Sequence, residues 1–220
     1  MANIVIFGLG DIAEIAHFYF KHDTEHNVSA FCVDREYLDK KTFCELPTVS
    51  FEDVEKQFPP SSHQMFVALS YSKINALRAD KYQAAKSKGY QVASYVSSKA
   101  TVWPGLKVGE NCFILEDNTI QPFVTIGNNV TLWSGNHIGH HSCIEDNCFI
   151  ASHVVVSGGV TIKENCFLGV NVTLRDHITL GRNCVIGAGA LVVKDAEENG
   201  VYIQPPAERS RVPSNRLKKI

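Results

Sequence analysis

The chain has no excess of basic residues, 21 Lys and Arg standing against 23 Asp and Glu for a net charge of −2. No cationic surface for nucleic acid is therefore expected. No apolar run approaches the length of a membrane span, and the N-terminus, MANIVIFGLG, lacks both the basic segment and the small-residue cleavage site of a leader. The expectation is a cytoplasmic protein that makes no membrane contact. Cysteine is present without a framework: seven is an odd number, and Cys112, Cys148, Cys166 and Cys184 recur at one repeat position, where thiols act as small hydrophobes. Neither a disulfide scaffold nor a metal site is expected. With 45% apolar residues over 220 positions, the chain can bury one large or two modest cores.

What is abundant is a register. From Val102 to Val192 every sixth residue is Val, Ile or Leu, and the residues two places earlier are mostly small or modestly apolar, as a narrow interior requires. A second period lies on the first: Asn recurs every eighteen residues at Asn111, Asn129, Asn147, Asn165 and Asn183, with Gly109, Gly127 and Gly181 two places before three of them. Asn and Gly tolerate left-handed backbone at tight corners, so eighteen residues read as one coil of three short strands and three corners. Stacked coils of this kind bury one continuous aliphatic ladder, the signature of a β-helix. About five coils, stacked about 4.8 Å apart, are expected.

Residues 1–97 read differently. Asn3 to Phe7, Val28 to Asp34, Met65 to Ser70 and Gln91 to Val96 have strand character, and Asp11 to His22, Phe51 to Phe58 and Ile74 to Gly89 have helical character. That alternation predicts a small parallel sheet, a Rossmann-like half. The first turn, Gly8-Leu-Gly10-Asp11-Ile-Ala13, fits the G-x-G-x-x-A pattern, in which bare backbone N–H groups at a helix N-terminus can hold a phosphate. Asp34 stands where a ribose-binding acid would. Fewer than a hundred residues are too few for a two-half dinucleotide fold, so one nucleotide diphosphate group suits the segment better than a nicotinamide cofactor. The glycines could equally serve the turn alone.

The unbroken hexapeptide run resembles the left-handed parallel β-helix of the hexapeptide acyltransferases. An α/β segment followed by such a helix resembles the bacterial sialic-acid O-acetyltransferase and bacillosamine N-acetyltransferase group over nearly the whole chain. The resemblance implies an α/β nucleotide-sugar-binding domain over 1–97, a β-helix acyltransferase domain over 98–203 and a tail over 204–220. It also implies a homotrimer, acetyl-CoA in the groove between adjacent β-helices, and a nucleotide-linked amino sugar as acceptor.

Acyl transfer from a thioester to an amine needs a base and a donor for the oxyanion. The stretch Asn136-His137-Ile-Gly-His140-His141 holds three histidines around one inward Ile138. By register His140 takes the place of the family's catalytic histidine and is the expected general base, and His141 stands where part of the family carries an orienting Glu. Glu145 and Asp146 are the nearest acids in sequence. The resemblance further places Gly158, Val170 and Ala188 at CoA-contacting positions, in a helix ending with the small-residue turn Gly187-Ala188-Gly189-Ala190. His153 or the Gly158 N–H is the expected oxyanion donor, because Phe149 replaces a frequent His. Trp133 replaces a polar Asn near the sugar amine and can stack on a sugar face. With Gly8, Gly10, Asp11, Asp34, Arg35, Ser70 and His137 it forms the expected acceptor set. Near the C-terminus, Gly200 to Arg209 resembles the family's terminal segment, and Arg209, Arg211, Arg216, Lys218 and Lys219 could meet the phosphates of CoA.

Three rival readings are a sugar O-acetyltransferase, a non-catalytic scaffold and a zinc hydratase of the γ-carbonic anhydrase kind. For the last, His141 and His177 lie two coils apart, but Arg182 stands where a further ligand is needed.

Overall fold

The structure, a computed structural model, describes residues 1–209 and 211–216. Lys218 and Lys219 lie outside the described residues.

The N-terminal unit is built on a five-stranded sheet. Its strands are β1 (Asn3–Phe7), β2 (Asn27–Val33), β3 (Thr42–Phe43), β4 (Leu46–Ser50) and β5 (His63–Val67), in the order β3-β4-β2-β1-β5. The helices are α1 (Asp11–Asp23), α2 (Val54–Gln57) and α3 (Ala76–Ser87). Strand side chains alternate between two cores: Ile4 and Ile6 pack with Ala13, Ala16 and Phe20 of α1, while Val5 and Phe7 pack with Val54, Tyr82 and Ala85 under α2 and α3.

The sheet differs from the expected one in two places. β3 runs antiparallel to β4, making the sheet mixed, and their two-residue turn is Cys44 and Glu45 at φ 48° and 65°. A turn with two left-handed residues normally signals itself through Asn or Gly, and this one carries neither. The segment from Gln91 contributes only a bridge from Val92 to Met65, and its end, Tyr95–Val96, pairs instead with Phe113–Ile114 as the first rung of the β-helix.

From there the chain coils into three parallel sheets of six, five and seven two-residue strands. Successive strands of a sheet lie eighteen residues apart, as Thr119 with His137 and His137 with Val155, except at the last rung, where Val185 pairs with Val201. The inward ladder from Ile114 to Ile186 is buried, whereas Val102 at the open lower end is 40% exposed. All seven cysteines are free thiols, and those at 112, 148, 166 and 184 are buried in the helix interior.

A left-handed residue recurs every six positions and defines three edges. One carries Asn111, Asn129, Asn147, Asn165 and Asn183; a second Gly105, Phe123, His141, Gly159 and His177; the third Asp117, Gly135, His153, Asn171 and Gly189. His141, His153 and His177 therefore occupy corner positions, a conformation in which His, like Asn and Asp, is enriched.

The Asn edge also docks the N-terminal unit. Asn111 pairs with both backbone groups of Val67, Asn75 donates to the Asn165 and Cys166 carbonyls, and Arg78 of α3 reaches the carbonyls of Asn129, Asn147 and Cys148. A further tie joins α1 to the lower coils, where Glu116 accepts from Tyr19 and Ser134. These contacts fix the first βα turn and the loop after β5 against the β-helix, which creates a cleft between them. Among the described residues no helix is long and apolar enough to cross a membrane.

Candidate active site

The cleft has a volume of about 750 Å³ and opens at the third edge. Its N-terminal wall is Gly10, Asp11 and Ile12 at the start of α1 with the Ala68–Tyr71 loop, and its other wall includes Trp133, Phe149, Phe167, Val170 and Ala188. Six expected site residues thus meet in one place: Gly10, Asp11, Ser70, Trp133, Val170 and Ala188.

Each wall has a local cause. Gly8 sits at φ +127°, and a Cβ there would fall 2.7 Å from the Ala68 carbonyl oxygen, so this glycine permits the approach of the two loops and does not itself line the cleft. Gly10 is the N-cap of α1 at φ −104°, and a Cβ built on it meets nothing within 4 Å. Asp11 and Glu14 in the first turn already complement the helix dipole. Trp133 is held at its corner by interior asparagines, Asn118 and Asn136, whose amides donate to its carbonyl.

Sequence reasoning pointed to Trp133 but missed the rest of the aromatic lining, Tyr71, Phe149 and Phe167. Tyr71 packs over Phe149 and Phe167 at ring-centroid distances of 5.0 and 4.7 Å, and Trp133 lies 6.4 Å from Phe149. The loop carrying Tyr71 continues into three successive left-handed residues, Lys73, Ile74 and Asn75 at φ 53°, 51° and 65°. A β-branched residue there is strained, and the strain is held by the buried Asn75 and Arg78 contacts with the Asn edge. Arg78 is 1% exposed and bonds only to neutral groups, and burial pushes its guanidinium down to about 10. The signal available in the sequence was an Arg on the stripe Arg78, Tyr82, Ala85, the buried face of α3.

The remaining acceptor candidates lie elsewhere. Asp34 is paired with Lys81 at 2.6 Å, and Arg35 with Asp53 at 2.6 Å while its N–H faces the Glu52 carboxylate. Neither lines the cleft. His137 points outward from the face between the second and third edges, flanked on its ladder by Thr119 and Val155.

His140 and His141 stand exposed on the second edge. The His140 N–H donates to Gln121 Oε1 at 2.9 Å, and its Nδ1 lies 3.1 Å from Nδ1 of His141. A Cβ on Gly158, in the coil above, would fall 2.6 Å from His140 Cε1 and 2.8 Å from Nε2, so the glycine leaves room for the imidazole. Gly135 and Gly159 play the same part beneath the rings of His153 and His177. Glu145 and Asp146 are engaged elsewhere, by Lys163 at 2.6 Å and by the Asn128 N–H at 2.7 Å. Among the described residues no group of three or more His, Cys, Asp or Glu side chains is gathered as a metal centre needs. The cleft and His140 lie at opposite edges of one face, six residues of extended chain apart, up to roughly 20 Å.

The fold is shared with solved enzymes. A point mutant of perosamine N-acetyltransferase from Caulobacter crescentus, in complex with CoA and GDP-perosamine, superposes with a TM-score of 0.82 at 21% identity, covering 91% of this chain and 93% of that one. The acetyltransferase domain of PglB from Neisseria gonorrhoeae, in complex with acetyl coenzyme A, gives 0.80 at 16% identity over 90% and 94%. WeeI from Acinetobacter baumannii gives 0.68 at 15% identity over 91% and 96%. These likenesses identify the coil as a left-handed parallel β-helix behind an α/β unit. No curated protein matches the chain in sequence. The family model of the GMPPB C-terminal domain matches residues 90–201, just over half of the chain and nearly all of its coils, and the protein belongs to that family.

Proposed function

We propose that this protein transfers an acetyl group from acetyl-CoA to the amine of a nucleotide-linked amino sugar, with His140 as general base. The observation that carries the reading is the cleft of about 750 Å³ joining the start of α1 to the β-helix corner, in a fold whose solved examples include complexes with CoA and with a nucleotide-linked amino sugar. Gly10, Asp11, Ser70 and Trp133 would contact the acceptor, and Val170 and Ala188 the donor. Gly8 acts through the turn. Asp34 and Arg35, at the carboxyl end of β2, are the candidates for the nucleoside, and the Asp34 carboxylate is shared with Lys81. His137 and His153 flank the face between the cleft and the base.

In this reading the amine attacks the thioester carbonyl and a C–N bond forms. His140 Nε2 takes the amine proton, the C–S bond breaks, and the same proton passes to the departing thiolate, which leaves as CoA thiol. The base and the cleft are separated by the width of a face, which supports a homotrimer in which the histidine edge of one copy lines the cleft of its neighbour. A cytoplasmic place in surface-polysaccharide or glycan synthesis follows from the substrates.

The test is thiol release from acetyl-CoA with a panel of UDP-, dTDP- and GDP-linked amino sugars. Turnover with one of them, reduced by about 10²–10⁴ in His140→Ala, supports the proposal. Silence across the panel with turnover of a free sugar hydroxyl would replace N-transfer by O-transfer.

A further inference from the structure

Among the described residues no carboxylate pairs with the His140 ring. Among them the hydrogen-bond partner of that ring is another imidazole, Nδ1 to Nδ1 at 3.1 Å. Two facing ring nitrogens can form a hydrogen bond only when one carries the proton and the other does not. For His140 to accept a proton at Nε2, its own Nδ1 must carry the hydrogen, and His141 Nδ1 must then be bare.

The surroundings hold His141 for that task. Its backbone is left-handed at φ 59°, and its N–H is tied to the Pro122 carbonyl at 3.3 Å. Phe123 covers the ring, centroid to centroid 4.6 Å at 37°. Phe123 is itself a bulky side chain in a left-handed conformation, φ 67°, and 74% exposed. Such a residue is a steric outlier, and outliers of this kind concentrate at functional sites. Gln121, Pro122, Phe123 and Gly158 pack against the pair, and none of them is ionisable.

We infer that His141 is the positioning residue for His140, an uncharged acceptor that fixes the Nδ1–H tautomer and leaves Nε2 free as the base. The inference rests on the acyl-transfer reading with His140 as base, since the Nδ1-to-Nδ1 contact by itself fits either ring as donor. During transfer the amine proton enters at His140 Nε2 and leaves from the same atom to the thiolate, while His141 accepts one hydrogen bond throughout and stays neutral. The imidazolium formed midway is stabilised by a dipole and not by an ion pair.

Substitutions at 141 separate acceptor from packing. Asn keeps an acceptor and tolerates the left-handed corner, as at Asn147 and Asn165; Lys is a donor only; Ala is neither. The expected order of kcat is native, then His141→Asn, then His141→Ala, then His141→Lys. The Ala variant should fall by about tenfold or more, within the range a general base contributes, with both KM values within about twofold. His141→Asp should move the acidic limb of the kcat–pH profile to higher pH, because a carboxylate favours the charged imidazole. Equal kcat in all four variants, or a loss confined to KM, overturns the inference. If no amino sugar is turned over, 15N NMR of the histidine rings in the intact protein still decides it, with the His140 signals assigned by their loss in His140→Ala. An Nδ1-protonated His140 whose preference weakens in His141→Ala supports the inference, and an Nε2-protonated His140 unaffected by that change overturns it.

Discussion

Arg78 donates from Nε to Oδ1 of Asn129 at 3.2 Å, the side chain of one domain reading the corner ladder of the other. The same guanidinium reaches the carbonyls of Asn129, Asn147 and Cys148 and lies 5.7 Å from the centre of the Phe149 ring, so the buried cation is held by neutral groups. Removing it takes the guanidinium donor from the Asn129 and Asn147 carbonyls, while that of Cys148 keeps the Thr131 N–H, and each loss costs about 1–3 kcal/mol where water cannot enter. Arg78→Ala should therefore destabilise the protein by about 3–5 kcal/mol. Arg78→Lys, with one compact ammonium in place of a fork, should recover only part of that. Chemical denaturation read at both domains checks it, and a loss below about 1 kcal/mol for Arg78→Ala would show that the docking is carried by the apolar contacts.

Acid lability should have a local source at the end of α1. Asp23 accepts from the Ser98 side chain and N–H and from Tyr95, and these bonds hold its carboxyl down to about 2, below its ordinary 3.8. A depressed acid contributes stability that is present above about pH 4 and lost as the pH falls through about 2. The contribution is on the order of 1 kcal/mol after discounting for solvent screening. Asp23→Asn should lower stability at pH 7 and flatten its decline between pH 4 and 2. Parallel declines for variant and native protein would assign the lability to other carboxylates.

Gly158 is where activity and stability should part company. An added methyl would sit 2.6 Å from His140 Cε1 and displace the ring at the surface rather than in the core. Gly158→Ala should lower kcat by about 10²-fold, the effect of a misplaced catalytic group, with a change in melting temperature of less than about 2 °C. Thermal scans beside turnover measurements decide it, and an unchanged kcat would mean that the ring moves without consequence.

Most of the coil was legible because its constraint is periodic. An interior that admits only Val, Ile, Leu and a smaller neighbour repeats every six residues, and the left-handed edges repeat with it. The sheet was less so: the turn at Cys44 and Glu45 carries no turn residue, and Tyr95–Val96 reads as a strand of the α/β unit because strand character says nothing about which sheet a strand joins. Half of the cleft was visible by register, through Trp133, Val170 and Ala188. Tyr71 and Arg78 were not, because their importance lies in contacts with residues far along the chain, such as Phe149 and Asn147. The His140–His141 bond was equally hidden, since adjacency in sequence does not fix how two side chains turn at a corner.

If the histidine edge of one copy serves the cleft of the next, two inactive variants should restore each other. Gly10 points into the cleft with open space where its side chain would be, at a φ of −104° that any residue adopts. Gly10→Leu should therefore block the cleft without disturbing the fold, and His140→Ala removes the base. Each homotrimer alone should be inactive. In trimers reassembled from an equal mixture, a site works only when its histidine comes from the Gly10→Leu copy and its cleft from the His140→Ala copy. Random assembly then gives roughly one quarter of native activity, since each of the two halves is intact in one half of cases. Mixing followed by reversible dissociation and a thiol-release assay provides the measurement. Activity staying near zero in verified mixed trimers would place base and cleft within a single chain.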